Sequence, residues 1–173
     1  FLKTPNTVAA HGDTITLPEG KEQVDWEAEL GVVIGEQCRN VDAEDAESVI
    51  DGYTVVCDIS NRDDQREEQN WVRGKAFDGA APIGPVVADP EHLSDDAAVS
   101  LRVNGETKQS SDISQLIFSV PELIEEISSY MTLEPGDVIS TGTPSGVGGL
   151  EDGDEVEVEV EGVETLQFTA RRD

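Results

Sequence analysis

The chain has 173 residues, of which 36% are hydrophobic, and its 38 Asp and Glu against 11 Lys and Arg give a net charge of -27. That length supports one domain with a sizeable core. The charge argues against nucleic acid as a partner, since phosphate binding needs basic patches, and no apolar run approaches the roughly 20 residues of a membrane span.

From Val24 to Ile34 the residues Val24, Trp26, Ala28, Leu30, Val32 and Ile34 are apolar and lie two apart, which predicts a strand with one buried face. Asp25, Glu27, Glu29 and Gly31 fall on the other face. Residues 42–51 predict a short acidic helix opened by Asp42 as N-cap. Tyr53 to Ile59, rich in β-branched and aromatic residues, predicts a second strand. Residues 60–85 form a long polar stretch with Gly and Pro, expected to be a loop, and long loops inside compact domains are often functional. Val99 to Val103 predicts a strand, with Asn104-Gly105 as a hairpin turn. Residues 119–131 predict the clearest helix: Ser119 and Glu122 form a capping box, and Val120, Leu123, Ile124, Ile127 and Met131 form a stripe for core packing. Pro135-Gly136 turns into a strand from Asp137 to Thr141, and the loop GTPSGVGG (142–149) follows. Asp154 to Val163 alternates Glu and Val, as a strand with one face in solvent does. The sum is one β-rich domain over 1–173 with two or three short helices.

The acids are spread along the chain rather than gathered in a tail, as in a halophilic, cytoplasmic protein kept soluble in high salt. Cys38 and Cys57 are expected to be buried small residues in a reducing cytosol. His11 and His92 are expected at the surface. The chain opens on Phe1 and its single methionine is Met131, so the native N-terminus is expected to lie upstream.

Three features could carry chemistry. Glu27 and Glu29 lie two apart on a strand, so their side chains leave one face, and Asp58 ends the other strong strand opposite its apolar side. Carboxylates this close repel unless a cation or protons lie between them. Three of them on rigid strands suit a hard ion such as Mg²⁺ or Mn²⁺, with Ca²⁺ as a further option. In so acidic a chain an E-x-E pair also arises without a ligand, as Glu155, Glu157 and Glu159 illustrate. Secondly, Arg62, Arg66, Arg73 and Lys75 gather four of the eleven basic groups. Either they hold an anionic ligand or they pair with Asp63, Asp64, Glu67 and Glu68; Lys75, between Gly74 and Ala76, is the stronger functional candidate. Thirdly, the glycines and hydroxyls of residues 141–148 let backbone and side chain approach a carboxylate, while the missing P-loop lysine argues against a nucleotide.

These features, in this order, resemble the fumarylacetoacetate hydrolase family. The matching strings are FLKTP at the start, DWEAELGVVIG (25–35), GYTVVCDISNRDDQ (52–65), WVRGKAFDGAAPIGP (71–85), LRVNGE (101–106), IFSVPELIEEIS (117–128) and LEPGDVISTGTPSGVG (133–148). The resemblance implies the family's mixed β-sandwich-like roll, a homodimer, and a metal held by Glu27, Glu29 and Asp58. It implies that Arg62, Gln65 and Thr143 face the substrate and that Lys75 is the active-site lysine. The implied activity is metal-dependent cleavage of a C–C bond in a small anionic 2-oxo or 1,3-dicarbonyl acid of acylpyruvate or fumarylpyruvate type. Isomerisation or decarboxylation of a 2-hydroxyhepta-2,4-diene-1,7-dioate-like acid, oxaloacetate decarboxylation, and a non-catalytic metal-binding role are the alternatives. Hydrolytic relatives carry a His and a Glu on a lid before F-L-K-x-P, so a corresponding segment is expected ahead of Phe1 in the gene product.

Overall fold

The computed structural model describes residues 1–172. Its strands are β1 (Val8–Ala9), β2 (Thr14–Thr16), β3 (Val24–Trp26), β4 (Ala28–Ile34), β5 (Ile50–Cys57), β6 (Ser60–Asn61), β7 (Ala81–Ala88), β8 (Ala98–Val103), β9 (Glu106–Asp112), β10 (Val138–Ser140), β11 (Gly148–Gly149), β12 (Glu155–Val160) and β13 (Leu166–Arg171). The α-helices are α1 (Arg62–Glu67), α2 (Val72–Lys75) and α3 (Val120–Tyr130), joined by short 3-10 segments. The strands form two five-stranded sheets, ordered β1-β7-β5-β4-β10 and β2-β13-β12-β8-β9, and a three-stranded sheet ordered β11-β3-β6. The expected mainly β fold with short helices is the one observed.

Apolar side chains from the two large sheets meet in one core, where Leu30 and Val55 of the first pack with Leu101, Val156, Val158 and Leu166 of the second. A second core forms where Val32, Ile34 and Ile139 pack with Ala46, Val49 and Ile124 of the segments outside the first sheet. The six alternating apolar residues of 24–34 therefore serve two cores rather than one. Nor is the opposite face solvated: Asp25, Glu27, Glu29 and Gly31 are all buried. Gly31 leaves no room for a side chain, since an added Cβ would lie 2.7 Å from Val56 and 2.8 Å from Thr54.

The helix expected over 42–51 is a 3-10 segment, Ala43–Val49, and Asp42 makes no side-chain cap. Glu125 of α3 accepts from the Ala43 amide at 3.1 Å instead, so tertiary packing satisfies a group that a local cap would have taken. The capping box of α3 forms as expected, with Ser119 and Glu122 bonding reciprocally. Residues 60–85 differ most from expectation: they hold β6, α1, α2 and the start of β7 rather than a loop. Asn61 starts α1 by accepting from the Asp64 amide. Asn104 and Gly105 turn the β8–β9 hairpin with φ of 52° and 78°. Cys38 and Cys57 are free and buried, and both histidines are exposed.

Candidate metal centre

The chain changes sheets at Glu27: β3 pairs with β6 and β11, whereas β4 pairs with β5 and β10. The β4–β5 ladder sets Ala28 opposite Cys57, and just past its end the Asp58 amide donates to the Glu27 carbonyl at 2.8 Å. This pairing carries Asp58 beside the break. Glu27, Glu29 and Asp58 each offer a carboxylate oxygen within 4.8 Å of the others. They are 8%, 4% and 1% exposed.

Cationic side chains close around them. Lys75, itself buried, donates from Nζ to Glu27 Oε2 at 2.8 Å, to Asp58 Oδ2 and to Ser60 Oγ. Lys3 Nζ donates to the carbonyls of Lys75 at 2.6 Å and Ala80 at 2.8 Å. It also forms an ion pair with Asp58 Oδ1 at 2.8 Å. On the other side Arg62 donates from Nε to Asp25 Oδ2 at 2.8 Å, from Nη2 to Glu27 Oε1 at 2.5 Å and from Nη1 to Gln65 Oε1 at 2.9 Å. Among the described residues Glu29 has no such cation. It accepts from the Ser140 hydroxyl and, at 2.8 Å, from the Gly142 amide.

The electrostatics follow this division. Burial and then the Asp58 charge push the Glu29 carboxyl up to about 7, against the hydrogen bonds from Ser140 and Gly142. Burial also raises Asp58, partly offset by the two ammonium groups. For Glu27 burial acts in the same sense, but Lys75 and Arg62 outweigh it and the pKa falls. Burial lowers Lys3. Three oxygen-bearing side chains converge here, one of them lacking a cationic partner, and this donor set fits a hard divalent cation.

The structure therefore brings together Glu27, Glu29, Asp58 and Lys75, with Arg62 gripping Glu27 and Gln65 gripping Arg62. The basic cluster splits. Arg66 reaches Gln23 and Asp63, and Arg73 pairs with Glu68 at 3.0 Å at the surface, so these two follow the salt-bridge alternative. Thr143 lies one residue past Gly142, and its hydroxyl accepts from Gln109 Nε2 at 2.8 Å. A cleft of about 430 Å³ is lined by that loop together with Leu30, Val99, Leu116 and Phe118. Sequence reasoning missed Lys3, Asp25, Ser60, Ser140 and Gln109. Lys3 carried a signal as a scarce basic residue within the FLKTP string, Asp25 as a carboxylate on the face of Glu27 and Glu29, and Ser60 and Ser140 only as members of matching strings, while Gln109 had nothing local to single it out.

Residues 1–171 match the family described as fumarylacetoacetate (FAA) hydrolase C-terminal. Over 96% of its length the chain is 43% identical to an oxaloacetate tautomerase of Bacillus subtilis, of which it spans 58%. The crystal structure of 5-carboxymethyl-2-hydroxymuconate delta-isomerase from Mycobacterium smegmatis superposes with a TM-score of 0.97 at 41% identity, covering all of this chain and 68% of that one. Fumarylpyruvate hydrolase from Pseudomonas aeruginosa, solved with Mn²⁺ and pyruvate, gives 0.92 at 35% identity, covering all of this chain and 78% of that one. With its mainly β architecture and these relatives, the chain belongs to the fumarylacetoacetate hydrolase family.

Proposed function

We propose that this chain is the metal-dependent catalytic domain of an enzyme that enolises 2-oxo acids, with keto–enol tautomerisation of an oxaloacetate-like diacid as its reaction. The buried convergence of Glu27, Glu29 and Asp58 carries this reading. These three side chains would hold the ion, Mg²⁺ or Mn²⁺. When bound, it supplies Lewis-acid polarisation of the substrate's 2-oxo group. Lys75 Nζ lies against two of the three carboxylates, where its ammonium stabilises negative charge growing on the substrate oxygen. Arg62 orients Glu27 and fixes the side-chain oxygen of Gln65, which leaves the Gln65 amide as a donor toward a substrate carboxylate. The Thr143 hydroxyl is a second such donor. Similarity to the tautomerase supports the substrate class.

Hydrolysis of an acylpyruvate, the first expectation from sequence, is the second reading, favoured by the likeness to fumarylpyruvate hydrolase. Both reactions need a proton acceptor, for the carbon beside the 2-oxo group in tautomerisation and for water in hydrolysis. Among the described residues neither histidine lies with the carboxylates: His11 accepts from the Gln167 amide, and the His92 carbonyl packs against Gly162.

Metal-stripped protein reconstituted with Mn²⁺ or Mg²⁺ tests both. Keto–enol exchange of oxaloacetate and loss of acetylpyruvate are each followed by ultraviolet absorbance. The expected result is metal-dependent exchange of oxaloacetate that Glu29→Gln abolishes. Metal-dependent loss of acetylpyruvate alone would establish hydrolysis instead. Turnover of neither would leave a non-catalytic metal-binding homologue and refute the proposal.

A further inference from the structure

The amide of Ala28 lies between Glu27 and Glu29, where the chain changes sheets. It donates to Gln109 Oε1 at 2.9 Å. Gln109 is 1% exposed, and its Nε2 donates to Thr143 Oγ1 at 2.8 Å and to the Pro144 carbonyl at 2.9 Å. One buried amide thus ties the carboxylate-bearing break to the 141–149 loop.

A register fault aims this side chain. β8 and β9 pair Val103 with Glu106 and Arg102 with Thr107, then shift so that Leu101 faces Gln109. Lys108 is the extra residue. In an unbroken register Lys108 would share the buried face of Leu101 and Gln109 would point away. The bulge also seats the loop: at Gly146, with φ of 102°, an added Cβ would lie 2.2 Å from the Lys108 carbonyl. Trp26 Nε1 donates to the Gly146 carbonyl at 3.0 Å, and its ring packs against Gly148.

We infer that Gln109 is a positioning residue that fixes Thr143 relative to Glu27 and Glu29 and sets its hydrogen-bond polarity for a 2-oxo acid. Its amide occupies an acceptor site of the Thr143 oxygen, which leaves the hydroxyl proton to donate, the polarity a substrate carboxylate needs. The inference rests on the reading of Thr143 as a substrate-binding residue.

Calorimetric titration of the whole chain with Mn²⁺, then of the Mn²⁺-loaded chain with oxalate as an unreactive 2-oxo acid mimic, tests it without turnover. Thr143→Val is expected to weaken oxalate about fivefold, the worth of one hydrogen bond, with Mn²⁺ affinity kept within about twofold. Gln109→Met is expected to weaken oxalate by a similar factor, and the double variant no further than the larger single effect. Gln109→Glu still accepts from Ala28 but faces the Pro144 carbonyl with an oxygen, and should weaken oxalate as well. If Thr143→Val leaves oxalate binding unchanged, the reading of Thr143 fails and the inference with it. If Thr143→Val weakens oxalate while the Gln109 variants bind like the parent, or the effects simply add, the inference alone is overturned. Loss of fold in both Gln109 variants would assign the residue to stability rather than positioning and overturn it too.

Discussion

Glu29→Gln replaces the carboxyl of the site that, among the described residues, has no cationic partner with a neutral group of the same shape. In the folded chain this carboxyl is held up to about 7, from an ordinary 4.5, by burial and by the charge of Asp58. A raised carboxyl pKa stabilises the fold fully below about pH 4.5, and the contribution is lost as pH rises through about 7. The gap between the two values corresponds to about 3 kcal/mol, and at 4% exposure little solvent screening reduces it. In urea unfolding with EDTA, the parent should therefore lose about 3 kcal/mol relative to Glu29→Gln between about pH 4.5 and 8. In a chain of this length that is a relative drop in Tm of about 6–12 °C. Titrations of groups distant from Glu29 cancel in the comparison. Excess Mn²⁺ should reverse the trend in the parent alone, because an ion bound to the ionised carboxylate stabilises the folded state by mass action. A stability difference that stays flat within about 0.5 kcal/mol over this range would refute the placement of Glu29 as an uncompensated buried carboxyl.

Other substitutions probe the surrounding groups. Lys75→Met leaves Glu27 and Asp58 facing each other without the ammonium between them, so metal-free protein should lose about 3–5 kcal/mol. Mn²⁺ should recover part of that loss while turnover stays down about 100-fold or more; equal destabilisation with and without Mn²⁺ would contradict the shared-cation geometry. Arg73→Ala, at a side chain 75% exposed, should change stability by no more than about 0.5 kcal/mol in thermal melts. Arg62→Ala should cost about 2 kcal/mol, less than a fully buried pair because solvent reaches part of the guanidinium, and the two losses being equal would undo the division of the basic cluster. Gly31→Ala forces a methyl against Val56 and Thr54 and should cost about 1–3 kcal/mol by urea unfolding; a neutral result would mean that β4 and β5 pack more loosely than the structure shows. Raising KCl from about 0.1 M to about 2 M should raise Tm by screening repulsion within a net charge of -27, and a falling Tm would count against self-repulsion as a dominant destabilising factor.

Local pattern was enough wherever the determining interaction is local. The Ser119 and Glu122 pair caps α3, Asn104-Gly105 turns its hairpin, and the Glu–Val alternation of β12 buries Val156, Val158 and Val160. The E-x-E spacing and Asp58 were visible too, and residue order supplied the family. Strands without a period-2 apolar pattern escaped notice, and so did β13, although Leu166, Phe168 and Ala170 alternate along it. β7 carries Pro82, Gly84 and Pro85 and is a strand because β5, distant in the chain, takes its backbone groups, whereas β9 is wholly polar and is held by its hairpin neighbour β8. The site shows the same division. Charge counting could find four basic residues near Asp58, but only the packing of α1 and α2 sends Arg62 and Lys75 inward and leaves Arg66 and Arg73 in water. Residue order alone says which residue types the centre contains. That three carboxylates share one buried point follows from the change of sheets at Glu27 and the Asp58 amide bonded to its carbonyl, and that Gln109 reaches the break follows from one extra residue in β9. The change of sheets and the Asp58 bond join segments distant in the chain, the β9 bulge is a register fault within one hairpin, and local propensity encodes none of them.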